Sequence, residues 1–475
     1  MKSKFKFLLV MASLGLIATA CNKEDSDASP EPNGEKSAIY LTISTDALKT
    51  KAPDSGDATH ATEGNEGTIT EGDGLKVYVF NSNGALVYSS ASETNGRLEL
   101  ETVSAGVYRT TKSFQVGSGD NYFFVFANDG TTGGLVQAPT STTNMETFMK
   151  QHLAFALTGS EANTDKFLLA SLWADAKNVA AGGTESSPIV VNLGIGRVLS
   201  KVVLNDVDLV NVDASLQGQF STPAYRLGTI PKYINTVGVH YGTSLPNAAN
   251  NVLVHSAVHN AGVWVNQDGT SETNFTPYLT STFSTIDLAT PANTKFFYTT
   301  ENTTEPVGGE QFFGNTTFIQ LRTVYTPVLA ETYDPETLAT NVALTNNNFW
   351  TATVVADPQF LPKTMANKTI VLGTAPEAGS IHLDIVQGVG VTYPAYTGGV
   401  NYHKFVVFDE NEGNDVTKNR VLRNHYYEFE VTKFNSIGSN TSVVEPTEPV
   451  PTKTTVEVRV NVLPWDKITG GVEVG

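Results

Sequence analysis

The sequence predicts an all-β fold, mainly β with minor helix, organised in two domains. Charged residues make up only 16% of the chain, whereas Gly, Thr, Asn, Ser and Val are abundant, and this mixture favours strands and turns over helices. Short stretches of alternating apolar and polar residues recur with turn residues between them, which is typical of an antiparallel sandwich. A length of 475 residues exceeds what a single core supports, so two domains are expected.

The first 20 residues have the features of an export signal. Three lysines precede FLLVMASLGLIATA, an apolar stretch too short to span a bilayer comfortably. Cys21, the only cysteine, follows at once in IATAC. This resembles the lipobox of bacterial lipoproteins, in which signal peptidase cleaves before Cys and the thiol carries lipid; the alternative is a plain secretory signal with an incidental cysteine. With Cys21 lipidated, no cysteine remains for a disulfide, a metal site or a thiol nucleophile.

The first strand is predicted at AIYLTIST, because Ile39, Leu41 and Ile43 fall on one face and polar residues fall on the other. Residues 21–37, which precede it, are polar and read as a tether. Residues 46–74, which follow it, contain almost no large apolar side chains, so they are expected to be exposed where proteases cut. They include Lys49 and Lys51, and no arginine precedes Arg97.

From residue 75 onward, short strands follow closely as far as YFFVFAN. Residues 143–157 are the best helix candidate, with Thr143 or Asn144 as the N-cap and apolar residues at helical spacing. The stretch VAAGGTESSP at 179–188 is a plausible domain boundary, after which a second series of strands runs to the end of the chain. No internal repeat is apparent.

The C-terminal segment TTVEVRVNVLPW predicts one long strand with one apolar face and one polar face. Four valines, Val456, Val458, Val460 and Val462, alternate with polar residues, and Pro464 ends the pattern because it has no N–H to donate. Before this strand, Pro446, Pro449 and Pro451 favour a stiff polyproline spacer over residues 442–453. Val472 and Val474 suggest a second, shorter strand.

Charge and motifs exclude several classes of function. The formal net charge of −18, near −21 once residues 1–20 are removed, argues against binding to nucleic acid or to anionic lipid. His255 and His259 have the spacing of helical metal ligands without a third ligand, and 409–415 departs from a calcium loop at Gly413. No P-loop, nucleophile elbow or dinucleotide fingerprint occurs, and no glycosidase-like carboxylate pair stands out. We expect no enzyme activity, no cofactor and no metal.

Several stretches together resemble the fimbrillin family, the FimA-like shaft subunits of Bacteroidales fimbriae. They are the lipobox, AIYLTISTDALKTKAPD, LKVYVFNSNGAL, FFYTTENTTE and FIQLRTVYTP, and above all the ending RNHYYEFEVTKFNSIGS followed by VLPW. The resemblance extends over nearly all of the chain in order. It implies a lipoprotein precursor with two transthyretin-like Greek-key β-sandwich domains and a C-terminal donor strand, found at the outer membrane and then in the extracellular fimbrium.

The resemblance also implies a maturation cut. In this family a trypsin-like protease cuts after a basic residue that follows the first strand, commonly arginine. Here the matching positions are lysines, with Lys51-Ala52 as the first choice and Lys49-Thr50 as the second. The implied segments are the signal peptide 1–20, propeptide 21–51, N-terminal domain 52–187, C-terminal domain 188–441, spacer 442–453 and donor segment 454–475. The implied partners are copies of the chain, anchor and tip subunits, and the protease.

Elementary physics makes such an assembly coherent. We expect the first strand to close a sandwich at its edge, so that its removal leaves an apolar groove with unpaired backbone groups, a template for another strand. The spacer would hold the valine strand away from its own body for donation to the next subunit. Two alternatives remain open: the valine face completes its own second domain, or the chain is a monomeric surface lipoprotein that binds glycan or host protein through Trp264 and Trp350.

Overall fold

The computed structural model describes residues 35–45, 69, 72, 74–104, 106–129, 136–149, 152–154, 167–171, 176–214, 216, 218–230, 233–235, 258–260, 263–265, 271–272, 283–289, 296–302, 311–327, 348–353, 369–372, 394–409, 419–445, 447–451 and 453–464. Within these ranges the chain forms one short α-helix, a few single 3-10 turns and 26 strands. The all-β prediction is confirmed.

The elements of the first part of the chain are β1 (Lys36–Ser44), β2 (Lys76–Asn81), β3 (Leu86–Ser89), β4 (Leu100–Ser104), β5 (Val107–Thr110), β6 (Phe114–Gly117), β7 (Gly119–Ala127), α1 (Met145–Met149), β8 (His152–Ala154), β9 (Leu169–Ser171), β10 (Ala176–Val179) and β11 (Ile189–Arg197). Ten of these strands form one sheet in the order β3-β2-β7-β9-β11-β1-β5-β4, with β10 beside β7 and β6 beside β1. Side chains from both halves of this order meet in one buried core.

The remaining strands are β12 (Leu199–Val207), β13 (Gly218–Gly228), β14 (Tyr233–Asn235), β15 (Val258–Asn260), β16 (Val263–Val265), β17 (Ser271–Glu272), β18 (Ser284–Thr285), β19 (Phe297–Thr300), β20 (Phe318–Pro327), β21 (Phe349–Thr353), β22 (Thr369–Leu372), β23 (Ala395–Tyr396), β24 (Val400–Val406), β25 (His425–Phe434) and β26 (Val456–Pro464). Two four-stranded sheets, β19-β12-β25-β26 and β18-β13-β20-β24, contribute to a common core and form a sandwich. Smaller groups pair β14 with β8, β15 with β16 and β17, and β22 with β21 and β23.

The change from the first sheet to the second occurs at a single residue. β11 pairs with β1, and β12, which begins after Val198, pairs with β19 and β25. The sheet therefore changes about ten residues after the boundary expected at 187/188. A separate apolar cluster joins the two units, with Tyr78 and Phe148 from the first and Leu199 and Tyr426 from the second.

The predicted helix over 143–157 is much shorter in the structure. The Asn144 side chain accepts a hydrogen bond from the Thr147 amide, 2.8 Å away, and so caps α1 as expected. Phe148 packs among Tyr78, Phe80 and Phe124 with ring centroids 5.3–5.4 Å apart. The helix ends at Met149, and His152–Ala154 pairs instead with β14. Pairing with a distant strand overrides the local helical periodicity.

Candidate functional site: the first strand and the C-terminal strand

β1 lies in the interior of its sheet. On one side it runs parallel to β11, from Ile39 opposite Ile189 to Ser44 opposite Gly194. On the other side it is antiparallel to β6 and then to β5. The side chains of Ile39, Leu41 and Ile43 are all 0% exposed in the core. We call the space that β1 occupies between β11 and the β5–β6 pair the slot.

The expectation that β1 is an edge strand is wrong. The alternation of apolar and polar residues predicts one buried face and one solvent-exposed face. This is observed, because Tyr40, Thr42 and Ser44 are only partly buried. The alternation does not report how many neighbours the backbone has. Removing β1 would therefore leave two unpaired strand edges about 10 Å apart, roughly twice the ordinary strand spacing, rather than one.

The start of the slot is closely fitted around the backbone of β1. The buried Ser37 hydroxyl donates to the Ala180 carbonyl at 2.9 Å, and the Ala38 amide donates to the Gly183 carbonyl at 2.9 Å. A β-carbon on Gly183 would lie 2.5 Å from the Ala38 carbonyl oxygen, so only glycine allows this approach. Further along, the Leu41 amide donates to the Thr110 hydroxyl at 3.2 Å.

β26 completes its own second domain in the single chain. It pairs antiparallel with β25, from Val456 opposite Phe434 to Pro464 opposite His425. Val456 is 0% and Val460 is 8% exposed, and Val458 and Val462 pack against the same core with partial exposure. The single chain therefore adopts the alternative to donation, in which the valine face completes its own second domain. Within the part of the chain that the structure describes, β26 is the last strand of its sheet and has one neighbour, β25.

The contacts on the outer face of β26 are weak. Arg459 Nη1 lies 2.9 Å from Glu430 Oε2, with the arginine side chain 71% exposed, and Glu457 lies 3.6 Å from Lys433. Such solvent-exposed pairs contribute typically ~0–1 kcal/mol each. The valine face and the single hydrogen-bond ladder therefore hold β26 in place.

The Pro-rich spacer does not hold β26 away from the body. Its described residues, 442–445 and 447–451, lie along the outside of the sheet that contains β13, β20 and β24, and we call them the strap. The Ser442 carbonyl accepts hydrogen bonds from Arg226 and Gln320 at 3.2 and 3.1 Å, and Lys404 Nζ lies 2.6 Å from Glu448 Oε1. Val444 is buried against Phe313 and Phe318. Val450 packs against the same cluster, so the two valines give this segment an apolar anchor that its proline content alone does not indicate.

A buried histidine contacts the residue that precedes β26. His403 Nδ1 lies 2.8 Å from the Thr455 hydroxyl, and its ring packs edge-on against Phe220 and Phe434. Burial lowers the pKa of His403 to about 3, because the charged imidazolium would lose its hydration. His403 is therefore neutral in the folded chain at neutral pH.

This histidine predicts a loss of stability in acid. Above its ordinary pKa of about 6.5, both folded and unfolded forms are neutral, so His403 adds no pH dependence. Below that pH the unfolded chain binds a proton that the folded chain refuses, so the free energy of unfolding falls toward pH 3. The contribution reaches about 2 kcal/mol at pH 5. Chemical denaturation at pH 7 and pH 5 should give a difference that H403Q reduces by about this amount; an identical pH difference in H403Q would contradict it.

Several predicted residues lie outside the described residues: Cys21, Lys49, Thr50, Lys51, Ala52, His255, Val472 and Val474. His259 lies in the strand β15, so the helical ligand spacing does not apply to its backbone. Trp264 lies in β16 and Trp350 in β21. Among the described residues, no three His, Cys, Asp or Glu side chains lie together as metal ligands would. No helix in the same part of the chain is long and apolar enough to cross a membrane.

Sequence reasoning missed the residues that line the slot and hold the strap. Gly183 and Thr110 are ordinary turn and strand residues by type, and only the pairing of β1 gives them a role. Lys404 and Glu448 are far apart in sequence. The one available signal was the pair of valines, Val444 and Val450, within the proline-rich stretch.

Two family models match parts of this chain. Residues 39–194 match the family model described as Major fimbrial subunit protein (FimA), which begins in β1 and ends in β11. Residues 394–470 match the model described as Major fimbrial subunit protein type IV, Fimbrillin, C-terminal, which includes β24, β25 and β26. No curated protein matches the chain.

Similar solved structures include proteins from Parabacteroides distasonis and Porphyromonas gingivalis. A putative cell adhesion protein from Parabacteroides distasonis is 15% identical, with a TM-score of 0.45, covering 92% of this chain and 100% of that one. A fimbrilin (fimA) from Porphyromonas gingivalis is 14% identical, with a TM-score of 0.40, covering 90% and 97%. The tip fimbrial protein Mfa3 from the same organism, truncated at its C-terminus, is 14% identical, with a TM-score of 0.35, covering 90% and 100%.

The two matched ranges include β1 near the start of the chain and β26 near its end. Both describe fimbrial structural subunits, not enzymes, and they imply a location at the cell surface. The chain therefore matches family models of fimbrial structural subunits over residues 39–194 and 394–470.

Proposed function

We propose that this chain is a fimbrial shaft subunit that polymerises by protease-triggered strand exchange. A trypsin-like protease that accepts lysine cuts after Lys51, or secondly after Lys49, and releases the propeptide with β1. The C-terminal strand of one subunit then leaves its own sheet and fills the slot of the next. The observation that carries the proposal is the difference in neighbours: among the described residues, β1 has strands on both sides, and β26 has a strand on one side only.

This difference in the number of neighbours favours placement of the C-terminal strand in the slot over placement in its own sheet. In its own sheet, the C-terminal strand forms one hydrogen-bond ladder, with β25. In the slot it would form two, one with β11 and one with the β5–β6 pair. Ile39, Leu41 and Ile43 are completely buried in the slot, whereas Val458 and Val462 are only partly buried in their own sheet. The strand is ordered in both places, so the cost of ordering it largely cancels, and pairing and burial decide the outcome.

The exchange makes a fibre because the two surfaces differ. The slot lies in the first domain and the donated strand leaves from the second. Such a head-to-tail contact does not close on itself, so each added subunit offers a new strand or a new slot.

Anchor and tip subunits would end the fibre, and lipid on Cys21 would hold the precursor at the outer membrane until the cut removes residues 21–51. The fimbriae would serve in adhesion.

The cut can be tested by replacing both candidate lysines. The variant K49A/K51A should accumulate as an uncut precursor at the cell surface and give no high-molecular-weight ladder on unheated denaturing gels. The control K112A removes an exposed lysine in the first domain and should polymerise normally. N-terminal sequencing of the wild-type surface form should give Ala52. Normal ladders from K49A/K51A would move the cut elsewhere.

One observation favours a second function, a monomeric surface lipoprotein that binds glycan or host protein. In the single chain the C-terminal strand already completes its own sandwich. A monomer of this kind would keep β1 and would begin at lipidated Cys21. The N-terminal sequence of the surface form therefore separates the two proposals directly.

A further inference from the structure

The two strands that would share the slot have a hydroxyl residue followed by three alternating apolar residues at the same spacing. β1 reads KSAIYLTIS from Lys36, and the chain that leads into β26 reads KTTVEVRVN from Lys453. Aligned without a gap, Thr454 falls on Ser37, and the valines fall on the three buried positions: Val456 on Ile39, Val458 on Leu41 and Val460 on Ile43. Only the first lysine is identical, which explains why no repeat is apparent from the letters alone.

We propose that the C-terminal strand enters the slot in this register and in the direction of β1, with Lys453 on Lys36 and Asn461 on Ser44, and that the Thr454 hydroxyl sets the register. This inference rests on the proposed function, since it specifies how the donated strand sits in the slot. It predicts which residues of two neighbouring subunits face each other.

The start of the slot has a site for one hydroxyl group. Ser37 is 0% exposed, and its hydroxyl donates to the Ala180 carbonyl at 2.9 Å and accepts from the Gly183 amide at 3.4 Å. When β1 leaves, these two backbone groups lose that partner. A threonine at the same position supplies both an acceptor and a donor. Within its own chain, the Thr454 hydroxyl donates a hydrogen bond to the nearby Val456 carbonyl.

Other registers lose this match. A shift by one residue turns the valines to the wet face. A shift by two in one direction puts Val456 in the place of Ser37 and leaves the Ala180 and Gly183 groups buried without the hydroxyl. A shift by two in the other direction puts the Thr454 hydroxyl in the fully apolar position of Ile39. An unsatisfied buried polar group weakens a complex by about tenfold or more, so these registers should be minor.

The charged outer face is consistent with the same register. The guanidinium of Arg109 lies 5.6 Å from the centre of the Tyr40 ring and is paired with Glu101. Glu457 would take the position of Tyr40 and bring a second carboxylate to Arg109. Arg459 would take the position of Thr42, which is directly opposite Arg109 on β5, and the carboxylates of Glu101 and Glu457 would offset the repulsion between the two arginines.

Cysteine cross-linking tests the register directly. Cys21 is the only cysteine of the chain and lies in the released segment 21–51, so in mature fibres the pair R109C/R459C can form a disulfide only between engineered positions. Within one chain these positions lie in different sheets, whereas opposite residues of paired strands have the Cα separation that a disulfide needs. The controls R109C/E457C and R109C/N461C move the second cysteine by two residues. Fibres are oxidised mildly, boiled in detergent without reductant and read as covalent ladders.

We expect R109C/R459C to give at least about fivefold more covalent ladder than either control, because diagonal positions are roughly 7–8 Å apart rather than 4.5–5.5 Å. A control that cross-links best would overturn the register. Added T454V should reduce the preference for position 459 at least threefold, whereas T454S should keep it. An unchanged preference in T454V would overturn the role of the hydroxyl.

The failure of this inference is distinguishable from the failure of the proposed function. Fibres that form and dissolve into monomers on boiling after oxidation, for all three cysteine pairs, would contradict strand exchange into this slot. Fibres that cross-link through position 457 or 461 would keep the exchange and overturn only the register.

Discussion

A disulfide between positions 430 and 459 should abolish fibre formation. Glu430 and Arg459 face each other on β25 and β26, and their side chains are exposed enough to be replaced without opening the core. Opposite residues on antiparallel strands have the Cα separation that a disulfide needs. In C21S/E430C/R459C the closed bond holds the C-terminal strand in its own sheet. After the propeptide is cut, the oxidised protein should remain monomeric in size-exclusion chromatography.

The same protein supplies its own control. Reduction should restore polymerisation, and the single variants E430C and R459C should polymerise in both redox states. This staple is a sharper test than truncation after Lys453, because truncation also uncovers the core beneath Val456 and Val460. Fibres that form equally well with the disulfide closed would rule out donation of β26.

The second prediction with a large expected effect is that a peptide with the sequence of the C-terminal strand binds in the slot. Loss of Ile39, Leu41 and Ile43 from the core removes roughly 1.5–3 kcal/mol each, about 5–9 kcal/mol in total, which is comparable to the whole stability of a typical domain. The chain with the 430–459 disulfide closed cannot donate its own C-terminal strand. When it is cut between residues 45 and 52 after folding, it should therefore still accept an added strand in its slot. A synthetic peptide of residues 453–464 should displace β1 and bind at least about 100-fold more tightly to the cut chain than to the uncut chain, as measured by fluorescence anisotropy.

Two variant peptides distinguish binding in the slot from nonspecific binding to the surface of the protein. V458D places a charge in the buried position and should lose at least about 100-fold in affinity, because a buried unpaired carboxylate is costly. E457Q changes the outer face and should bind within a few-fold of the unaltered peptide. Equal binding of V458D and E457Q would mean that the peptide does not enter the slot.

Much of the fold can be predicted from local patterns. The alternation at Ile39, Leu41 and Ile43 and at the four valines predicts two strands with one buried face each, and both are observed. The Asn144 cap is likewise a local signal. Strand neighbours are not local, because they depend on pairing between distant segments. For this reason the sequence did not indicate that β1 is interior, or that Ile189–Arg197 belongs with the first sheet.

The candidate site follows the same division. The two strands that would exchange are visible in the sequence, but the features that define where they rest are not. Gly183 has its role because the carbonyl of Ala38 approaches it closely, and the strap is fixed by a lysine and a glutamate on separate elements. Prolines at 449 and 451 predict a stiff segment, yet stiffness alone does not tell whether that segment stands free or lies against the sheet.

The direct passage from β11 into β12 through Val198 has a mechanical consequence. β11 would flank the strand received from one neighbour, and β12 pairs with β25, which ends shortly before the strap. Traction on an assembled filament would therefore travel along continuous backbone from one domain to the other, without a loose linker between them. Flow at the cell surface would load the hydrogen bonds across the slot in shear, many at once, and each subunit would resist extension as one piece.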